Sequence, residues 1–202
     1  MRNTLKAAAI SGRAGPILLA GVIAILTIVE HDFMVTLGWD PLTAPTRDWP
    51  SGLALGPLGF VMTAAFIVCG LMLVLFAAGM RTAFRWERGG PTASVLLAFA
   101  GVAMCILAFP TDPTNRALPL TWHGFIHDAA FVVLGVVLFA SLAAFGFVFL
   151  ARERWRANAL LSWSTAALIV PAFTLKGVAF YLFLVAVLLW CEATALRALR
   201  RF

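Results

Sequence analysis

Residues Phe109–Asp128 read FPTDPTNRALPLTWHGFIHD, a polar stretch that interrupts an otherwise apolar chain. It holds two of the three histidines, His123 and His127, and two carboxylates, Asp112 and Asp128. Apolar runs lie on both sides of the stretch, and each approaches the length of about 20 residues that a membrane-spanning helix needs. The stretch therefore predicts a polar loop between two spans, followed by the opening turns of the second span.

The composition of the whole chain indicates the same class of protein. Of its 202 residues, 62% are hydrophobic and only 12% are charged. An average soluble domain carries about 25% charged residues, so this chain cannot build an ordinary water-facing surface. We predict an all-α, polytopic membrane protein in which residues 1–202 form one integral membrane domain.

The apolar runs predict six transmembrane helices that pack as a bundle. The predicted spans are approximately residues 15–35, 58–80, 92–109, 122–150, 157–173 and 177–196. The longest segment between two spans has about twenty residues. No separate soluble domain is therefore predicted.

The basic residues indicate the orientation of these spans. They form short clusters between apolar runs and no continuous stripe, so the net charge of +6 does not predict nucleic-acid binding. Twelve of them fall on one side of the predicted membrane, namely Arg2, Lys6, Arg13, Arg81, Arg85, Arg88, Arg152, Arg154, Arg156, Arg197, Arg200 and Arg201. Only Arg47, Arg116 and Lys176 fall on the other side. Because positively charged loops stay in the cytoplasm, both termini are predicted to be cytoplasmic.

The three histidines suggest a metal site at the outer face. His123 and His127 lie four residues apart in a segment predicted to be helical, so they project from one face about 6 Å apart along the axis. The topology places His31, near the outer end of the first span, on the same side of the membrane. We therefore predict that a zinc ion binds His31, His123 and His127.

Zinc held by three histidines keeps an open position for water, which is the arrangement of catalytic zinc. Asp112 and Asp128 are the predicted catalytic carboxylates, which would orient the imidazoles or accept a proton from that water. The alternative is that the same side chains make only structural hydrogen bonds at the membrane interface. The residue types alone leave both interpretations open.

The loop before the histidines is predicted to be held in one conformation. Pro110 and Pro113 flank Thr111 and Asp112, and a residue that precedes proline is restricted to extended backbone. Thr121 has a suitable side chain for the N-cap of the fourth span, which places His123 in the first turn of that helix. The carboxylate of Asp112 is therefore expected to have a fixed position.

The motif FPTDP (109–113), followed by HGFIHD (123–128), resembles the prokaryotic membrane family catalogued as "domain of unknown function 998". The resemblance covers nearly the whole chain and identifies Asp112 and His127 as motif positions. It implies a six-span protein of the prokaryotic cell (inner) membrane. The chain is also distantly similar to the eukaryotic FRAG1/DRAM/Sfk1 six-span group, some members of which are linked to lipid remodelling.

Three functional hypotheses follow, and the sequence does not decide whether the protein is an enzyme. The first is metal-dependent hydrolysis or remodelling of a lipid or amphiphile at the outer face. The second is a non-catalytic protein that binds lipid or a small molecule, or acts as a partner subunit, with a structural His/Asp cluster. A transporter is ranked third, because the ionisable residues gather at one face and do not line a path across the membrane. Membrane lipids are the predicted partners, and a homo-oligomer or a partner membrane protein is also expected.

Overall fold

A computed structural model describes residues 2–38, 50–113, 120–175 and 177–199. All regular elements in these ranges are helices, as the composition predicts. The α-helices are α1 (Arg2–Val29), α2 (His31–Thr36), α3 (Gly59–Ala83), α4 (Gly90–Ile106), α5 (Trp122–Leu150), α6 (Arg156–Ala167), α7 (Ile169–Leu175) and α8 (Gly177–Leu199). Short 3-10 helices lie at Pro50–Leu55 and Glu153–Trp155.

Five helical segments in these ranges are long and apolar enough to cross a membrane. They are α1, α3, α5, α8 and the segment Glu153–Leu175, which contains α6 and α7. Helix α4 is also apolar but has 17 residues. At 1.5 Å per residue it is about 25 Å long, against a hydrocarbon core of about 30 Å. The membrane-spanning, all-helical class agrees with the prediction, whereas the count of six spans stays a prediction.

Two predicted spans differ from the helices in the structure. The predicted first span continues to residue 35, but α1 ends at Val29 and the chain turns at Glu30 before α2. The predicted fifth span is divided at Leu168, between α6 and α7. Pro171 accounts for this break, because it has no N–H to bond the carbonyl of Ala167 and its ring clashes with that carbonyl.

Glycines allow α3 and α4 to pack closely. A Cβ on Gly70 would lie 2.6 Å from the carbonyl oxygen of Gly101, and a Cβ on Gly101 would lie 2.7 Å from that of Gly70. Both distances are shorter than real Cβ contacts, so neither position accepts a side chain without movement of the backbone. Helix α4 also packs against α5, so α3, α4 and α5 are successive neighbours in the bundle.

The two ends of the bundle differ in chemistry. At one end Arg152 pairs with Glu87 and lies over the ring of Phe84, 4.8 Å from its centroid. We call this the basic end, because it carries Arg81, Arg85, Arg88, Arg152, Arg154 and Arg156. The opposite end, at which α3 and α5 begin, is called the capped end. It carries the sequence motif, and the candidate site lies there.

Replacing Gly101 by Ala is expected to destabilise the bundle by about 1–3 kcal/mol, because the new methyl group overlaps with the backbone of Gly70. Gly21→Ala is the matched control, since a Cβ at Gly21 has no neighbour within 4 Å and alanine is the better helix former. Thermal unfolding of both variants in one detergent measures the difference. Equal transition temperatures would show that α3 and α4 do not meet at these glycines.

Candidate functional site

Asp112 ties the loop after α4 to the start of α5. Its Oδ2 accepts a hydrogen bond from the backbone N–H of Thr121, and its Oδ1 accepts one from the Thr121 hydroxyl, both at 2.8 Å. Hydrogen bonds to an ionised acceptor are stronger than those between neutral groups. The carboxylate therefore has a fixed position, as the flanking prolines predict, and it serves the first residues of a helix.

Thr121 is the N-cap of α5, which confirms that prediction. Its hydroxyl oxygen accepts the N–H of Gly124 at 3.1 Å, while its hydroxyl hydrogen is donated to Asp112. Gly124 has to be glycine here, because a Cβ at this position would overlap with the Asp112 carboxylate. Gly124 of the second motif therefore leaves space for the carboxylate of Asp112 of the first.

Within the described residues, His123 makes its hydrogen bonds through one ring nitrogen. Nδ1 lies 3.1 Å from the carbonyl oxygen of Pro110 and 2.9 Å from the Thr121 hydroxyl oxygen. A carbonyl oxygen only accepts, and the Thr121 hydrogen already goes to Asp112, so Nδ1 must carry the proton. In the neutral ring this leaves Nε2 with a lone pair.

His127 has the same arrangement but is buried, with 2% of its surface exposed. Its Nδ1 lies 3.0 Å from the carbonyl oxygen of Leu107 and 2.8 Å from that of Phe109. Two carbonyls require a donor, so Nδ1 is protonated and Nε2 is the lone-pair nitrogen of the neutral ring. The ring also packs edge-on against Phe66, with centroids 6.3 Å apart. Asp112, Thr121, His123 and His127 together are called the clasp.

Glu30 binds the backbone at the start of α3 in a similar way, and the sequence analysis did not predict this role. It is 4% exposed, and its Oε1 accepts the backbone N–H of Leu58, the N-cap residue of α3. Its Oε2 has no hydrogen-bond partner within the described residues and lies where a side chain on Gly56 would be. The available signal was an acidic residue at the end of an apolar run, where an ionisable group needs a partner.

The structure brings together only part of the predicted site. Asp112 and His123 both contact Thr121, and His127 lies one turn further along α5. His31, Asp32 and Asp128 are exposed. Across the described ranges, no group of three or more His, Cys, Asp or Glu side chains is placed to hold a metal ion. The structure therefore does not assemble the three histidines into a ligand set, and zinc binding stays a prediction.

Two neighbouring apolar cavities lie in the bundle, and the smaller one reaches the site at His127. The larger, of about 410 Å³, lies between α1 and α8 and is lined by residues such as Leu19, Ala20, Tyr181 and Leu184. The smaller, of about 140 Å³, extends from His127 into the bundle. The two share lining residues, including Leu19 and Leu184, so at most one layer of side chains separates them.

Long apolar helices, short polar connections and capped helix ends define a polytopic α-helical membrane protein. The chain belongs to the family described as Protein of unknown function (DUF998), whose model matches residues 18–199. This is the family that the FPTDP and HGFIHD motifs resemble, so that prediction is confirmed. Comparisons with curated proteins and with solved structures each found no match. The matched range includes Glu30 and every residue of the clasp.

Asp112→Asn is expected to destabilise the protein by about 1–3 kcal/mol. Both carboxylate oxygens accept hydrogen bonds from Thr121, whereas an amide offers one acceptor and turns an N–H group toward the other donor. Thermal unfolding in detergent measures the loss.

Asp128→Asn is the matched control for that variant. Asp128 is exposed and makes no hydrogen bond within the described part of the chain, so its loss of charge should leave the transition temperature nearly unchanged. An equal loss in the two variants would contradict the role of Asp112 in the clasp.

Proposed function

We propose that this DUF998 protein binds the hydrocarbon chain of a lipid or similar amphiphile in the cavity between α1 and α8. The observation that carries the proposal is the cavity itself, whose volume of about 410 Å³ lies within the range of ligand pockets, roughly 300–1,000 Å³. Its walls are almost entirely apolar. An apolar ligand is therefore the occupant whose transfer into this space is favourable.

The length of the cavity also supports a chain-like occupant. Its lining on α1 extends from Ser11 to Thr27, which corresponds to about 24 Å along the helix axis. This is most of the roughly 30 Å hydrocarbon thickness of a bilayer. Gly15, Ala20 and Ala24 contribute only small side chains to this wall, so an elongated space remains along the helix.

The hydrogen bonds of Asp112 favour a structural role over catalysis for this carboxylate. Asp112 and the Nδ1 atoms of His123 and His127 already bond with backbone or with Thr121. A general base or nucleophile activator needs a free, directed lone pair near the substrate. Asp112, one of the two carboxylates predicted to be catalytic, is thus better explained as part of the helix cap.

We also infer six spans, with α4 as the short one. Helix α4 packs against both α3 and α5, and the turn of residues 107–109 lengthens its path toward the capped end. The twelve basic residues on one side, against three on the other, support a cytoplasmic location for the basic end and both termini. The membrane is proposed to be the prokaryotic cell membrane.

Ala20→Phe is expected to weaken binding of hexadecyl methyl ether by about tenfold or more, because Ala20 lines the cavity and the ring fills it. Gly21→Phe is the matched control, since the neighbouring Cβ position faces open space. Binding is measured with the delipidated full-length chain in detergent, by native mass spectrometry.

Lipid that co-purifies with each variant provides a second measurement on the same samples. We expect wild type and Gly21→Phe to retain bound amphiphile and Ala20→Phe to lose it. Equal binding by all three proteins would place any bound lipid elsewhere and would overturn the proposal.

Zinc-dependent hydrolysis is the second candidate, and one observation favours it. A histidine that binds a metal through Nε2 usually donates its Nδ1–H to a carbonyl or carboxylate. His123 and His127 both have this arrangement. The exposed His31 and the lack of a three-residue ligand group in the described ranges weigh against it.

Metal analysis of protein purified without chelator separates these two functions. On the binding proposal we expect less than stoichiometric zinc, and no change in zinc content in His123→Ala or His127→Ala. One zinc per chain in wild type, lost in both variants, would favour the hydrolase instead.

A further inference from the structure

We propose that the bound amphiphile carries a hydroxyl group that donates a hydrogen bond to Nε2 of His127. This inference rests on the proposed function and names the ligand class: a neutral, single-chain alcohol or a lipid with one free hydroxyl. The hydroxyl would lie at the capped end, in the smaller cavity. The chain would extend from there into the cavity between α1 and α8.

The chemistry of His127 supplies the acceptor. Its Nδ1–H is shared between the carbonyls of Leu107 and Phe109, which leaves Nε2 as the lone-pair nitrogen of the neutral ring. Nε2 makes no hydrogen bond with any part of the chain that the structure describes. The side chain is 98% buried and lines the smaller cavity. The apolar lining of the cavity does not solvate a nitrogen lone pair, so a ligand group that donates a hydrogen bond to it is favoured there.

The other polar side chains that line the smaller cavity are weaker candidates than His127 for a hydrogen bond with the ligand hydroxyl. The indole N–H of Trp190 is donated to the hydroxyl of Ser162 at 2.7 Å, so it is not available to a ligand. Ser51 lines the same cavity near the capped end and can donate as well as accept. Among the described side chains that line the smaller cavity, His127 is therefore the one whose ring nitrogen distinguishes a donor from an acceptor.

The position of the two cavities gives the ligand its direction. His127 lies five residues after the first residue of α5, about 7.5 Å along the helix from the capped end. The cavity at His127 shares Leu19, Ile23 and Leu184 with the larger one. A chain that starts at His127 therefore passes these side chains and enters the space between α1 and α8.

The lining of the smaller cavity also selects a neutral group. None of the described side chains that line it is charged, so a carboxylate or ammonium group there would be buried without a counter-ion from them. A carboxylate would in addition place its lone pairs against that of Nε2. A hydroxyl supplies the one donor that Nε2 needs and carries no charge.

The experiment compares hexadecan-1-ol with its methyl ether on the delipidated, full-length protein in detergent. The two probes share one chain, but only the alcohol has a hydrogen to donate. We expect wild type to prefer the alcohol by about five- to tenfold, the usual effect of one buried hydrogen bond. Equal affinity for both probes would overturn this inference and leave the proposed function standing. Failure to bind either probe would overturn both.

Two variants assign the preference to a side chain. His127→Asn keeps an N–H donor near the position of Nδ1 but has no atom at the position of Nε2. It should reduce the alcohol-to-ether ratio to about one, with affinity for the ether unchanged. Ser51→Ala is the control and should keep the wild-type ratio. A ratio lost in Ser51→Ala, or retained in a folded His127→Asn, would overturn the assignment. If His127→Asn does not fold, the comparison of alcohol and ether on wild type, with Ser51→Ala as the control, still tests the inference.

Discussion

Unpaired backbone groups at the helix ends decide how the capped end is built. The first N–H groups and the last carbonyls of a helix have no partner within it, and the membrane interior offers no water to satisfy them. Glu30 accepts an N–H from Leu58 at the start of α3, and Asp112 accepts one from Thr121 at the start of α5. His127 donates to two carbonyls that follow α4. The backbone itself therefore engages most of the polar chemistry at this end.

This constraint explains how two histidines can have the spacing of zinc ligands while, in the described ranges, no third ligand lies beside them. Two histidines four residues apart face the same way, as zinc helices require. In this protein the shared direction lets His123 and His127 both reach carbonyls after α4, at Pro110 and at Leu107 and Phe109. Within the described residues, the ring nitrogens of these two histidines that keep a lone pair are the two Nε2 atoms. Only the one on His127 lies in a buried cavity, which is why ligand recognition is assigned to it.

Features that depend on near neighbours could be predicted from the sequence, and features that join distant segments could not. The apolar runs and the Thr121 cap are local. The break before Pro171 is local as well, but the predicted fifth span, residues 157–173, did not include it. Glu30 and Leu58 are 28 positions apart, and the ion pair of Arg13 with Glu192 joins residues 179 positions apart. The ligand role predicted for His31 also depends on distant segments, because a predicted location on one side of the membrane does not by itself bring its side chain to those of His123 and His127. Helix α1 ends before it, and the turn at Glu30 leaves it exposed.

The same distant contacts account for the cavity between α1 and α8. Arg13 pairs with Glu192 of α8 at 2.8 Å, and Glu30, directly after α1, bonds to the start of α3. Helix α1 is thus attached at two points about 25 Å apart along its axis, and nearly all of its cavity-lining residues lie between them. Between these two points the small side chains of α1 leave the space that the cavity occupies. This apolar space is the site that we propose for the hydrocarbon chain of the ligand.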